Sequence, residues 1–131
     1  MIDHICLVVR DYAKSKAFYT RALAPLGAEL VMEFGVYGGF GQNKKPSFWI
    51  GGGPPSYWDP THKSGASPMH IAFVAKDRAT VDAFYAAAMA AGAKDFGPPG
   101  VRKEYHPSYY GAFVLDPDGN DVEAVCHLPP A

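Results

Sequence analysis

A chain of 131 residues in which 48% are hydrophobic, 14% aromatic and 19% charged has the length and apolar content of a single folded domain with its own core. A net charge of −1 argues against the clustered positive surface that captures nucleic acid. No apolar run approaches the roughly 20 residues that a membrane-spanning helix needs. Two cysteines, Cys6 and Cys126, sit inside apolar runs and read as buried free thiols in a reducing compartment. No basic region precedes a long apolar stretch near residue 1, as a secretion signal would require, so the expected address is the cytoplasm.

Taken in order, residues 2–9 predict a strand rich in Ile, Val and Leu, apolar on both faces and therefore covered on both sides. Asp11 predicts a helix N-cap, and the helix 12–24 carries Ala13, Ala17, Phe18, Leu23 and Ala24 near helical spacing before Pro25 and Gly27 end it. Glu29 to Phe34 alternates as a strand. Gly35, Gly38, Gly39 and Gly41 mark turns or bulges around a second short strand, and Ser47-Phe48-Trp49-Ile50 is a third. The Gly- and Pro-rich residues 52–67 form a linker that sustains neither helix nor central strand. A strand is predicted over 69–75, an N-cap at Asp77 and a helix over 78–92, with Val81, Phe84, Tyr85 and Ala88 on its buried face and Gly92 at its end. After an irregular stretch through Pro107, strands 109–115 and 121–127 form a hairpin around Asp116-Pro117-Asp118-Gly119-Asn120, where Pro and Gly meet the turn's dihedral demands. Residues 128–131 are expected to be a tail.

Residues 4–24 and 70–90 match at ten of 21 positions at a constant offset of 66, which marks an internal duplication. Each copy opens with a His, continues through an apolar strand to an Asp, and carries Ala-Phe-Tyr in its helix. The predicted fold is therefore α+β: two tandem β-α-β-β-β modules, residues 1–51 and 68–127 of one domain, forming a curved, half-open mixed sheet around a concave site. The two-residue strand period assigns Ile5, Leu7, Val9, Ile71, Phe73, Val122, Ala124 and Cys126 to the helix-covered side. It assigns His4, Cys6, Val8, His70, Ala72, Val74, Glu123 and Val125 to the concave side.

That division places three metal-competent side chains on one surface. Two His and one carboxylate occupy one face of an octahedral ion and leave positions open, and imidazole suits Fe, Zn, Ni, Mn or Co. The bland alternative for each His is a hydrogen-bonded core residue. A Glu amid Val122, Ala124, Val125 and Cys126 favours metal, because coordination removes the cost of a buried unpaired carboxylate. Close by in sequence, His106 is a candidate proton shuttle, and Tyr110 or Tyr109 a donor to a developing oxyanion. Arg102 is a candidate receptor for a substrate carboxylate. Strand-edge packing and solvated loop positions are the alternatives for these residues. Trp49, Tyr57 and Trp58 are candidates for an aromatic wall, and His62 and His127 read as exposed.

The duplicated unit, the opening Ile2-Asp3-His4, the second His70 and the ending Asp116-Pro117-Asp118-Gly119-Asn120-Asp121-Val122-Glu123 resemble the vicinal oxygen chelate superfamily. This is the group of glyoxalase I, bleomycin-resistance proteins, fosfomycin-resistance thiol transferases and extradiol dioxygenases. The resemblance covers essentially the whole chain. It implies paired β-α-β-β-β modules, a homodimer, a small-molecule substrate, and one divalent metal that chelates two neighbouring substrate oxygens. It implies His4, His70 and Glu123 as metal ligands. It also implies a carboxylate in the first module's last strand, where this sequence has Trp49. Two expectations follow: a metalloenzyme of lyase, isomerase or ring-cleaving dioxygenase type, or a metal-free protein that sequesters a planar ligand. A structural dimer that has kept the fold and lost the site is a third.

Overall fold

The computed structural model describes residues 1–130. Its elements are β1 (Ile5–Val8), α1 (Tyr12–Ala22), a short 3-10 turn (Ala24–Leu26), β2 (Glu29–Phe34), β3 (Tyr37–Gln42) and β4 (Lys45–Gly51). Then follow β5 (His70–Val74), α2 (Arg78–Ala90), β6 (Lys94–Val101), β7 (Tyr110–Leu115) and β8 (Asp121–Cys126). The first module forms a sheet of order β1-β4-β3-β2 and the second a sheet of order β5-β8-β7-β6. In each, the first strand pairs parallel with the last and the remaining pairs are antiparallel. The α+β class and the tandem modules are as expected. Among the described residues no ladder joins the two sheets. The modules meet instead through their apolar sides. Helix α1 contacts α2, and the rings of Phe48 and Phe73 stand perpendicular at 5.2 Å.

Local chemistry accounts for each boundary. Asp11 and Asp77 cap their helices, accepting from the backbone N–H of Lys14 at 3.1 Å and of Thr80 at 2.7 Å. The β3–β4 hairpin turns on Asn43 and Lys44, both with positive φ, as a two-residue type I′ turn demands. Strand β6 was expected to be irregular because it holds Pro98 and Pro99. It is an edge strand with register shifts around Gly97 and Gly100, where missing amide donors are tolerated.

One apolar cluster runs through both modules. The residues assigned to the helix-covered side lie there, from Leu7 and Val9 to Val122, Ala124 and Cys126. On α1 the buried face is Ser15, Phe18, Tyr19 and Ala22, whereas Ala13, Ala17 and Ala24 are exposed. Small alanines gave no strong phase, and the large rings at Phe18 and Tyr19 set it. The concave side is open in the single chain. Val74 is 73% exposed and Cys6 is exposed, so neither the expected two-sided cover nor a buried Cys6 thiol is found; Cys126 is buried. Linker residues 52–67 contain no helix or strand. Residues 128–130 of the expected tail are likewise irregular, and Ala131 lies outside the described residues. No helix among the described residues is long and apolar enough to cross a membrane.

A buried carboxylate ties the modules together. Asp116, 6% exposed, accepts from the Tyr19 hydroxyl of α1 at 2.5 Å, from the backbone N–H of Asp118 and Asn120, and from the Asn120 side-chain amide. The Asn120 carbonyl in turn accepts from Met69 N–H at 2.8 Å, at the entrance to β5. Burial, and then the neighbouring Asp116 carboxylate, push the Tyr19 phenol well above its ordinary range and keep it a donor. Tyr19→Phe is expected to lower the unfolding free energy by about 1.5–3 kcal/mol, the range for a hydrogen bond to a charged group. Asp116→Ala should cost more, because it strands three further donors. Urea unfolding measures both, and a Tyr19→Phe variant within about 0.5 kcal/mol of the parent would show that the bond contributes nothing.

Candidate functional site

The β5–β8 register sets Ala72 beside Glu123 and His70 beside Asp121. On the concave side of this sheet His70 and Glu123 converge: Nε2 lies 2.9 Å from Oε1. Glu123 is 1% exposed, whereas half of the His70 side chain is open to solvent. The second carboxylate oxygen, Oε2, accepts from the Tyr109 hydroxyl. Burial and then the bond to Glu123 raise the Tyr109 phenol far above its ordinary range, so it remains protonated and donating. The buried charge is thus met by one imidazole and one phenol, as a buried carboxylate must be. Gly111 makes room for this contact: a Cβ there would lie 3.1 Å from Oε2 and 3.2 Å from the Tyr109 ring. Behind His70, Nδ1 lies 3.9 Å from Asp121 Oδ2. Asp121 is raised chiefly by its own burial.

Around this core, the guanidinium of Arg102 lies over the Phe113 ring at 5.3 Å and donates to the Pro98 carbonyl at 2.6 Å. The Phe113 ring is in turn 6.2 Å from His70. Two of the candidates have other partners. Tyr110 turns to the other side of β7, donating to Asp82 of α2 at 2.7 Å with Arg78 over its ring, because the two-residue period separates it from Tyr109. His106 accepts at Nδ1 from Ser108 N–H at 3.1 Å, and its Nε2 meets His127 Nδ1 at 2.8 Å. His127 is exposed, as expected, and its contact with His106 is an additional finding. Its signal was the strand period, which carries Glu123, Val125 and His127 along one face.

His4 is not part of this cluster. It precedes β1, is exposed, and meets Asp3 at 2.7 Å, which Lys45 holds at 2.8 Å from the other side. Together with Met32, Phe34, Tyr37 and Trp49 these residues line a separate hollow of about 430 Å³. There Trp49 pairs with Cys6 just as Glu123 pairs with Ala72, which makes Trp49 the counterpart of Glu123 in the first module. Its ring packs against Gly39, where a Cβ would come within 2.8 Å. His62 is exposed beside Trp58, as read.

Among the described residues no three His, Cys, Asp or Glu side chains converge on one point within a chain. His70 and Glu123 nevertheless fit a divalent ion as a pair. Ligands bonded at about 2.1 Å on neighbouring corners of an octahedron lie roughly 3 Å apart, which is the separation of Nε2 and Oε1. Such a site would need at least one more protein donor.

The profile of the Glyoxalase/Bleomycin resistance protein/Dioxygenase superfamily matches residues 1–124. Among solved structures, a glyoxalase/bleomycin resistance protein from Albidiferax ferrireducens T118 is 29% identical, with a TM-score of 0.76, and the match covers 95% of this chain and 97% of that one. A lactoylglutathione lyase from Agrobacterium tumefaciens is 21% identical with a TM-score of 0.69, over 96% and 92% of the two chains, and shares the fold. So does a glyoxalase/bleomycin resistance protein/dioxygenase family enzyme from Burkholderia phytofirmans PsJN, 18% identical with a TM-score of 0.67, over 97% and 98%. No curated protein matches the chain at a significant level. Matched from residue 1 into its last strand, the chain belongs to the glyoxalase/bleomycin resistance protein/dioxygenase superfamily.

Proposed function

We propose that this chain is a metal-dependent enzyme acting on a small organic substrate that offers two neighbouring oxygen atoms. The observation that carries the reading is the convergence of His70 Nε2 and the buried Glu123 carboxylate at the spacing of adjacent metal ligands. His70 and Glu123 would hold one divalent ion (Fe, Zn, Ni, Mn or Co), with His4 supplied by a second copy of the chain in a homodimer. Two features support the shared site: His4 stands exposed just ahead of β1 in the other module, and His70 is half open to solvent near the exposed Val74. When bound, such an ion supplies Lewis-acid polarisation of the two substrate oxygens.

The protein's own groups then have separate tasks. Tyr109 binds Glu123 Oε2 and leaves Oε1 facing His70. Arg102, half-buried and fixed over Phe113, offers a cation to a substrate carboxylate. Trp49 and Phe34, 5.6 Å apart, give an apolar wall against which a flat or aliphatic substrate part can shed water. The reaction is of lyase or isomerase type, or an oxidative ring cleavage. A second reading, a metal-free binding protein, draws on two observations: Glu123 is already balanced by Tyr109 and His70, and Trp49 stands where a further carboxylate would serve.

Protein purified without chelators is expected to carry one ion per chain and to lose it in His70→Ala. A His4→Ala variant should fail alone yet recover partial metal content when co-refolded with His70→Ala, since each mixed dimer would contain one intact site. Wild type that is metal-free and ignores added Fe(II), Ni(II) and Zn(II) would sink the enzyme reading and leave the binding protein. With metal present, oxygen uptake on catechols against turnover of a methylglyoxal–thiol adduct separates the two reaction types.

Alkaline behaviour gives an independent check on Tyr109. A phenol whose folded pKa lies above its unfolded value near 10 contributes stability in full below pH 10 and loses it as pH rises toward the folded value. The decline in unfolding free energy above pH 10 should therefore be shallower in Tyr109→Phe than in the parent. Parallel curves for the two would show that Tyr109 does not hold its proton for Glu123.

A further inference from the structure

The segment from Arg102 to Tyr109 closes on itself. Arg102 N–H donates to the Tyr109 carbonyl at 2.8 Å, Tyr105 N–H to the Arg102 carbonyl at 3.1 Å, and Tyr109 N–H to the His106 carbonyl at 3.1 Å. These bonds shape the loop, and Arg102 ties its start to β6 and β7 through the Pro98 carbonyl and the Phe113 ring. A further contact comes from β8. His127, just past its end and on the face of Glu123, meets His106 Nε2 through Nδ1 at 2.8 Å.

The protons on this pair can be placed. Ser108 N–H is a donor without choice, so His106 Nδ1 must accept from it. The His106 proton then sits on Nε2 and is donated to His127 Nδ1, which is the acceptor of the pair. The rings are nearly parallel, 25° apart with centroids 5.1 Å apart, and the Tyr109 ring stands edge-on to both, 5.4 Å from His106 and 5.2 Å from His127. The far end of that same ring carries the hydroxyl bound to Glu123. Tyr109 is thus clamped at its flank by two imidazoles and engaged at its tip by the site carboxylate.

We infer that His127 is a positioning residue, which through His106 holds the Tyr109 hydroxyl on Glu123. Its consequence for metal rests on the proposed role of Glu123 as a ligand, whereas the clamp itself does not.

The experiment is proton and nitrogen NMR on the metal-stripped full chain. The parent is expected to show a slowly exchanging, far-downfield hydroxyl proton that Tyr109→Phe removes, and a His106 ring protonated on Nε2. His127→Leu should lose the hydroxyl signal and the fixed His106 tautomer. His127→Asn, whose side-chain oxygen can stand where Nδ1 was, should keep both. A folded His127→Leu protein that retains both signals overturns the inference, as does a His127→Asn protein that loses them as fully as Leu does. Should His127→Leu not fold, His127→Gln moves the acceptor away from the Nδ1 position at similar size; the same losses are expected, and their absence overturns the inference equally. Co(II) titration separates the two levels. His127→Leu should bind Co(II) about tenfold more weakly than the parent, the lower end of what a group behind a ligand controls. A parent that takes up no Co(II) defeats the metal reading alone, with the NMR result still deciding the clamp.

Discussion

The carboxylate of Asp116 is the constraint on which the rest of the molecule depends. It lies at the turn between the last two strands, yet one of its four donors comes from a helix in the other module, 97 residues earlier. Through Asn120 the same turn grips the backbone at the entrance to β5. The strand that carries His70 and the strand that carries Glu123 are therefore aligned by one buried ion and its donors. The desolvation of that ion is offset only when every donor is in place, so the turn has a single acceptable geometry. The alternation of β8 reinforces that register, because a slip of one residue would send Glu123 into the apolar core.

Much of this was legible in the sequence because it is written locally. The duplication, the capping aspartates, the Asp116 to Asn120 turn and the two-residue alternation of β1, β5 and β8 are all patterns within a few residues. They suffice to sort His70 and Glu123 onto one face and Ile71, Val122 and Ala124 onto the other. What was not legible depends on contacts between distant parts. The relation between modules is set by packing of α1 on α2 and of Phe48 on Phe73, and that packing keeps His4 away from His70. The proline-bearing β6 forms because it lies at an edge, a property of sheet order rather than of its own residues. Tyr109 and Tyr110 look interchangeable in sequence, yet one reaches Glu123 and the other Asp82, because β7 begins between them.

The site follows a simple electrostatic rule. Glu123 is as buried as the valines around it, and its charge is tolerated because a histidine and a phenol face its two oxygens. Asp121, two residues earlier, has one oxygen with no partner and the other within 3.9 Å of the His70 ring. The imidazole on the edge strand β5 thus lies between two carboxylates of the neighbouring β8. In this arrangement the orientation of His70 is governed from both sides of its ring.

The packing of the Trp49 ring against Gly39 has a bearing on how the two halves diverged. At the matching place in the second module the pair is Phe113 with Glu123. The large member of each cross-strand pair has changed sides: a ring on β4 with nothing opposite in one half, a ring on β7 with a carboxylate opposite in the other. Replacing Trp49 by an acid alone would leave that acid facing the bare backbone of Gly39 across the strand, with the apolar ring of Phe34 beside it and a void where the indole had been. Making the first pair match the second therefore means changing both Gly39 and Trp49.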